Sequence, residues 1–558
     1  MITVIAKIIN LLIRLKIPLP AKAVTPIERY LWNRPERIRY FLCAINPAAL
    51  WKIAEIKLIP LVNRAIKNTP ALKNVQMKFF PAQSINNLAK FKKLFPILDK
   101  ENYIKKNSLP DLCQGGVLPK RGSFYKSAGT SGKPTLWVES LEEEMAFDKA
   151  VSFISSSMLD MFSKNYIVFN CWALGSWPTG VNFAVAARFH GKTLNVGTNL
   201  EETLMALETL GPAHPYLLAG YPPFIFNLIK ECETRGINLS DYPIDIVTGG
   251  EGFIEEWRDT LLKKVGKTRI IFSVYGSTDK GLGEGVETNL AYTIRSLLHI
   301  ANTILKDEEA ARDIMVLRFG AKNLPFSKEA AKLFLLDFLK YEENIARIPM
   351  VFQFDPTNYF NENITVTDPN QNREIQEFLT TVLTPEASIP RIRYNIHDEG
   401  FVLHHENVAA ILAKYNLSAS ALNPRNDPTL DLHLPFLFIF GRSDGTISLD
   451  GANIFPEDIQ KCIRVQEELS KIISSFQLFI TKDYRLGIAI ELNPGIAFSA
   501  ENQIGLQNHF KNNLAEYSFG YRELAHDRLA SANIVVELYN FNDGLFSERT
   551  IKMRYVKH

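Results

Sequence analysis

The chain has 558 residues, 46% hydrophobic and 22% charged, so it carries enough apolar material for sizeable cores and is not a disordered chain. Lys+Arg number 63 and Asp+Glu 60, a formal charge of +3, which argues against nucleic-acid binding as the main function. Gly 30 and Pro 29 exclude collagen-like and linker-like chains, and at ~150 residues per domain the length suggests about three or four domains. Five cysteines (43, 113, 171, 232 and 462) are widely spaced with no CxxC pair, which reads as reduced thiols of a cytoplasmic protein.

Along the first 17 residues, Lys7, Arg14 and Lys16 interrupt every apolar run, and the longest, 8–13, is too short for a signal core or a membrane span. Ile5, Ile8, Ile9 and Leu12 follow helical spacing, with Lys7, Asn10 and Arg14 on the other face. Two roles fit such a helix: packing on its own protein, or peripheral contact with a membrane or partner through residues 1–17. Residues 1–120 read as mainly helical, with breaks near 96–99 and 107–110. From about 121, short β-branched and aromatic runs (166–169, 217–219, 244–247, 270–274) alternate with helices predicted near 180–190, 222–235 and 253–265. That repetition implies an α/β fold with a largely parallel sheet. Residues 288–346 read as a helical insertion or lid. Strands are expected again at 348–354 and 391–394, and a small α+β domain from about 441.

Four segments carry chemical signals. Ser127-Ala128-Gly129-Thr130-Ser131-Gly132-Lys133-Pro134-Thr135 packs glycines and hydroxyls beside one lysine, which suits phosphate oxygens. It matches neither a Walker loop nor a nucleophile elbow, and the competing reading is a surface turn. Tyr275-Gly276-Ser277-Thr278-Asp279 follows an apolar run, where open α/β sheets bind ligands; Asp279 suits a metal and Tyr275 a base. The competing reading is an ordinary βα turn. Asp398, within the stretch 389–400, suits ribose hydroxyls, or is part of a solvated turn. His397, His404 and His405 do not form HExxH, since residue 409 is Ala. Gly441-Arg442-Ser443-Asp444 sits where the texture shifts to the small domain and reads as an interdomain linker, with Pro456, Glu457 and Asp458 marking a helix start.

In this order, these segments resemble those of the adenylate-forming enzymes: the AMP-forming acyl-CoA synthetases, the peptide-synthetase adenylation domains and the luciferases. The likeness is greatest to the phenylacetate–CoA ligase branch and its relatives in capsule biosynthesis. It rests on the loop 127–135, on Gly249-Gly250-Glu251 ahead of a helix, on the 275–279 signature, on Arg393-Tyr394-Asn395-Ile396-His397-Asp398, and on the Gly-Arg-x-Asp hinge with the segment 451–456. The resemblance implies a large domain, 1–440, of helix-covered mostly parallel sheets, and a small mobile α+β domain, 441–558. It implies that Ser127, Thr130, Ser131, Gly132 and Lys133 hold the phosphates of ATP. Gly250 and Glu251 would line the adenine slot, with Tyr275 stacking on the base beside Gly276 and Ser277. Thr278 would contact the α-phosphate, Asp279 would bind Mg²⁺, and Asp398 with Arg442 would take the ribose. Asp444 would be the hinge, and Lys552 would stabilise the α-phosphate during adenylation; a basic solvated tail is the other reading of Lys552.

The implied reaction is ATP-dependent activation of a carboxylic acid as an acyl-adenylate, then transfer to a thiol. Coenzyme A is the expected acceptor, with a carrier-protein thiol or an amine as alternatives, and a degenerate nucleotide-binding scaffold as a further one. Trp172, Trp177, Phe183, Tyr221 and Phe224 are either core or near an acyl pocket. The chain departs from the family pattern in three places: Asp279 replaces Glu, with Glu284 a nearby spare carboxylate; His397 replaces Gly; and 288–346 is long.

Overall fold

A computed structural model describes residues 2–17, 21–81, 83–127, 134–159, 161, 163–266, 269–345, 347–367, 374–417, 432–443, 446–496, 499–526 and 529–546. The N-terminal part is helical, as its spacing predicts: Ile2–Arg14, Ala21–Trp32, Pro35–Ala44, Pro47–Asn68, Pro70–Phe79 and Leu88–Leu94. Three of these helices open on proline, whose missing N–H costs nothing in the first turn. The faces of the first helix differ from those expected. Ala6 and Ile9 are buried, and Asn10 turns inward to bond Ala44 O (3.3 Å) and Asn46 N (2.8 Å). Val4, Ile8 and Leu11 stay exposed, in line with Leu15.

A hairpin, β1 (Gly122–Ser127) and β2 (Thr135–Ser140), flanks the residues of the phosphate-loop motif and leads into the helix Leu141–Ile154. The main sheet holds eleven strands: β3 (Ile167–Asn170), β4 (Lys192–Leu194), β5 (Tyr216–Gly220), β6 (Ile244–Gly249), β7 (Ile271–Ser277), β8 (Gly281–Val286), β9 (Met350–Phe354), β10 (Tyr359–Thr367), β11 (Glu374–Val382), β12 (Asp398–Leu403) and β13 (Phe436–Arg442). Their order is β10-β11-β12-β13-β9-β8-β7-β6-β5-β3-β4. From β4 to β7 the pairings are parallel, and β3, β5 and β6 are buried along their whole length because helices cover both faces. From β7 to β10 every pairing is antiparallel, so the sheet is mixed rather than largely parallel. There the two faces alternate with period two. Phe436 and Phe438 join one core with Val351 and Phe401, while Leu437 and Ile439 join another with Phe352 and Val402.

Residues 391–394, expected as a strand, make only single bridges at Tyr394, to Leu98 and Thr380, because Arg393 has φ 44° and breaks the extended run. The stretch 288–346 is helical as expected: Asn289–Ile304, Glu308–Phe319 and Lys328–Leu339. It packs on the sheet around Phe334, Phe338 and Phe438. A buried charge cluster fastens it further. Glu255 lies 2.8 Å from both Arg295 and Arg318, Arg258 lies 2.7 Å from Glu287, and Arg318 lies 2.7 Å from Asp259.

β13 carries the main sheet on to Arg442, two residues past the expected boundary. Beyond it, the hairpin β14 (Ile447–Leu449) and β15 (Ala452–Ile454), the strands β16 (Ile473–Ile480), β17 (Leu486–Leu492) and β18 (Val535–Tyr539), and the helices Pro456–Val465, Ala500–Tyr517 and Phe519–His526 enclose a core of their own. Tyr484, in the β16–β17 turn, packs on Phe226 (5.5 Å) and Trp257 (6.4 Å) of the large unit. Lys126 reaches Glu523 at 2.8 Å.

Candidate active site

Three of the expected residues meet at the end of β7 and the start of β12. The Tyr275 hydroxyl donates to Asp398 Oδ2 at 2.5 Å. Asp398 pairs in register with Arg442 across β12 and β13, with Arg442 Nη1 3.8 Å from Asp398 Oδ1. Burial, then the Asp398 carboxylate, push the Tyr275 hydroxyl well up, so it stays a donor. The Tyr275 ring stacks on Phe352 (5.5 Å, 29°), and Lys280 Nζ lies 4.6 Å from its centroid. Tyr275 therefore supports Asp398 through its hydroxyl. His397, just before Asp398, has φ 63°, the left-handed conformation for which glycine is the usual residue. Its carbonyl accepts from Ser443 N at 2.8 Å.

Thr278, Asp279 and Lys280 form the turn from β7 to β8, at the C-terminal edge of the parallel strands, with Gly276 and Ser277 closing β7. Asp279 Oδ2 lies 3.0 Å from Lys100 Nζ, which also donates to Ser127 Oγ at 2.9 Å. Lys100 thus ties the edge of the phosphate-loop motif to the signature turn. No motif in the sequence includes it. Arg391 Nε donates to the Asp279 carbonyl (3.3 Å), and its Nη1 to Glu143 Oε1 (3.0 Å). Glu284 is not spare. It is buried against Lys280 (2.7 Å) and accepts from Asn361 (3.0 Å) and Thr380 (3.2 Å).

Gly250, after β6, has φ 88°, and a Cβ there would stand 2.8 Å from Tyr221 Cε1. Gly451, in the β14–β15 turn, has φ 79°, and its Cβ would stand 2.4 Å from the Tyr221 hydroxyl end. The Tyr221 ring therefore touches both glycines and joins the adenine-loop residues to the small domain. Glu251 accepts from Asp450 N at 2.8 Å. Burial pushes Glu251 up, and Asp450 is pushed up to about 6 for the same reason.

A cavity of about 470 Å³ opens between the helices Ala21–Trp32, Pro47–Asn68 and Leu141–Ile154 and strand β8. Lys280, Glu284 and Arg391 line it at the side of the signature turn. Among the described residues, none of 288–345 lines it. Trp172, Trp177, Phe183, Tyr221 and Phe224 do not line it either; Trp172 packs edge-on against Phe183 (4.8 Å) in the core.

No protein-family model matches the chain, and no curated protein does. Among solved structures, a 2-hydroxyisobutyryl-CoA ligase, in complex with 2-HIB-AMP and CoA in the thioesterification state, superposes with a TM-score of 0.55 at 14% identity, over 91% of this chain and 89% of that chain. The chain shares the fold of that ligase. Weaker similarity extends to the GH3.15 acyl acid amido synthetase (TM-score 0.42, 12% identity, 91% of both chains) and to a malonyl-CoA ligase (TM-score 0.36, 12% identity, 75% of this chain and 71% of that chain). Of the residues the resemblance assigns, Tyr275, Asp398 and Arg442 come together, and Asp279 joins Ser127 through Lys100. Gly250 and Glu251 are drawn into the contact with the small domain. Thr130, Ser131, Gly132, Lys133, Asp444 and Lys552 lie outside the described residues.

Proposed function

We propose that the chain is an ATP-dependent ligase that activates a carboxylic acid as its acyl-adenylate and passes the acyl group to a thiol, with coenzyme A as the acceptor. The motif order further suggests the phenylacetate–CoA ligase and capsule-biosynthesis branch. The observation that carries the reading is the Tyr275–Asp398–Arg442 group, held beside the Asp279 turn at the C-terminal edge of the parallel strands. A carboxylate oxygen attacks the α-phosphorus of ATP, a P–O bond forms, and pyrophosphate leaves. The thiol then attacks the acyl carbon and AMP leaves. The protein's contribution is positioning and charge stabilisation. Asp398, held by Tyr275 and Arg442, takes the ribose hydroxyls. Thr278 contacts the α-phosphate, and Thr130, Ser131 and Lys133 hold the outer phosphates. Among the described residues no cluster of three or more His, Cys, Asp or Glu side chains could cage a metal. Asp279 would hold Mg²⁺, and the ion would offset phosphate charge there.

Pyrophosphate release from ATP, dependent on an added acid, tests the reading. Lys552→Ala should lower that release by about 10²-fold or more while ATP binding persists. Full activity of that variant would remove Lys552 from the chemistry, and ATP binding with no release from any acid would favour the non-catalytic scaffold.

The exposed stripe of Val4, Ile8, Leu11 and Leu15, beside Lys7 and Arg14, fits an anionic lipid surface, because basic residues flank an apolar face. Among the described residues no helix is long and apolar enough to cross a membrane, so the contact would be peripheral. The protein should co-float with phosphatidylserine vesicles, and the double variant Ile8→Asp, Leu11→Asp should not. Equal recovery of both would overturn this contact.

A further inference from the structure

The cavity beside the signature turn is built asymmetrically. Away from the turn the apolar side chains Trp32, Leu42, Phe153, Ile154, Phe354 and Leu434 line it, with the charged Glu28, Arg29, Lys57, Arg64, Lys149 and Asp355 among them. At the turn, its cations are already matched. Lys280 is paired with Glu284 (2.7 Å) and Arg391 with Glu143 (3.0 Å). Two polar groups there have capacity left. Arg391 is 2% exposed, and its Nη2 has no hydrogen-bond partner among the described residues. An unpaired buried guanidinium N–H is costly, and a ligand oxygen would relieve it. Glu139, on β2, is 6% exposed and lines the same wall. Burial pushes its carboxyl up to about 7, and Glu143 adds to the rise.

We propose that this cavity is the acyl site and that it selects an acid with an apolar body and a hydroxyl group close to its carboxyl. The hydroxyl oxygen accepts from Arg391 Nη2, and its hydrogen is donated to Glu139. The position near the carboxyl follows from Arg391 Nε, which bonds the Asp279 carbonyl of the signature turn. A second carboxylate at that point would meet Glu139 and Glu143, and the Arg391 charge is already balanced. An ammonium would face the guanidinium itself. A neutral hydroxyl satisfies both groups without adding charge to a buried site. A volume of about 470 Å³ is ample for a medium-length chain. The inference rests on the adenylation reading and names the substrate class of that site.

Decanoic acid and its 2-hydroxy and 3-hydroxy derivatives test it in two readouts: calorimetric binding to the nucleotide-free protein, and pyrophosphate release with ATP. One hydroxy acid should bind about tenfold or more tighter than decanoate, the difference appearing in KM rather than kcat. Arg391→Met should collapse that ratio towards one. Because Arg391 also braces Asp279 and Glu143, Glu139→Leu is the independent variant, and it should collapse the ratio too. Equal binding of all three acids, no binding of any, or an undiminished ratio in Glu139→Leu would overturn the assignment. A binding preference with no pyrophosphate release from any acid would instead overturn the adenylation reading and leave the pocket assignment standing.

Discussion

Replacing Lys280 by methionine is expected to cost about 3–5 kcal/mol of unfolding free energy and to weaken ATP binding together. Lys280 is 1% exposed and Glu284 2%, and their ion pair is 2.7 Å long. Methionine keeps the length of the side chain but leaves the Glu284 carboxylate without its cation inside the protein. Asn361 and Thr380 still donate to it, but two neutral hydrogen bonds do not replace a buried cation. Lys280 Nζ also donates to the Tyr275 hydroxyl at 2.9 Å, and that hydroxyl donates to Asp398. Loss of the lysine frees the hydroxyl to turn and releases the orientation of Asp398, so the KM for ATP should rise about tenfold. The double variant Lys280→Met, Glu284→Gln separates the two effects. It removes the unpaired charge, so most of the stability should return in urea titrations, while the ATP defect should remain. A double variant no more stable than the single one would refute the ion-pair account.

Much of this site lies beyond what spacing along a chain reveals. The turn at Thr278 and Asp279 is legible because β5, β6 and β7 are apolar runs followed by small and polar residues. The partnership of Tyr275 with Asp398 spans 123 positions and is suggested only by the order of motifs. Asp398 opposite Arg442 is a matter of antiparallel register, which no local pattern encodes. The strands β10 and β11 were hidden because they bury Asn361, Glu362, Glu377, Thr380 and Thr381, so their inward faces look solvent-facing in the sequence. Residues 391–394 mislead in the opposite way. Their apolar alternation is that of a strand, but Arg393 turns the backbone out of it. Lys100 and Arg391 belong to no spaced motif, and only the fold shows what each one reaches. The cavity lies between the N-terminal helices and β8, and neither the helix pattern nor the strand pattern contains it.

The buried charge cluster under the helix Glu255–Val265 should set the acid limit of the fold. Glu255, Glu287 and Asp259 face Arg258, Arg295 and Arg318, and all but Asp259 are 4% exposed or less. Burial by itself would raise the Glu255 carboxyl, but Arg258, Arg295 and Arg318 outweigh it and hold it far below the usual carboxylate range. Asp259 is also held low, against its own burial, by His299 and Arg318. The unfolded chain therefore takes up protons that the folded chain refuses. The stabilisation is fully present above the unfolded carboxylate value of about 4.3 and is lost as the pH falls below it. In urea titrations from pH 7 to pH 3, the unfolding free energy should drop steeply below about pH 4.3. Glu255→Gln should cost about 3–5 kcal/mol at pH 7, because three arginines then share too little negative charge, and should flatten the acid slope. Replacing the whole cluster with well-packed apolar residues is expected to be far milder, since the desolvation of every ion disappears with it. A single variant as stable as the parent at pH 7, or one with an unchanged acid slope, would move the acid limit away from Glu255 and onto the Asp259 pair, where Asp259→Asn would then carry the loss.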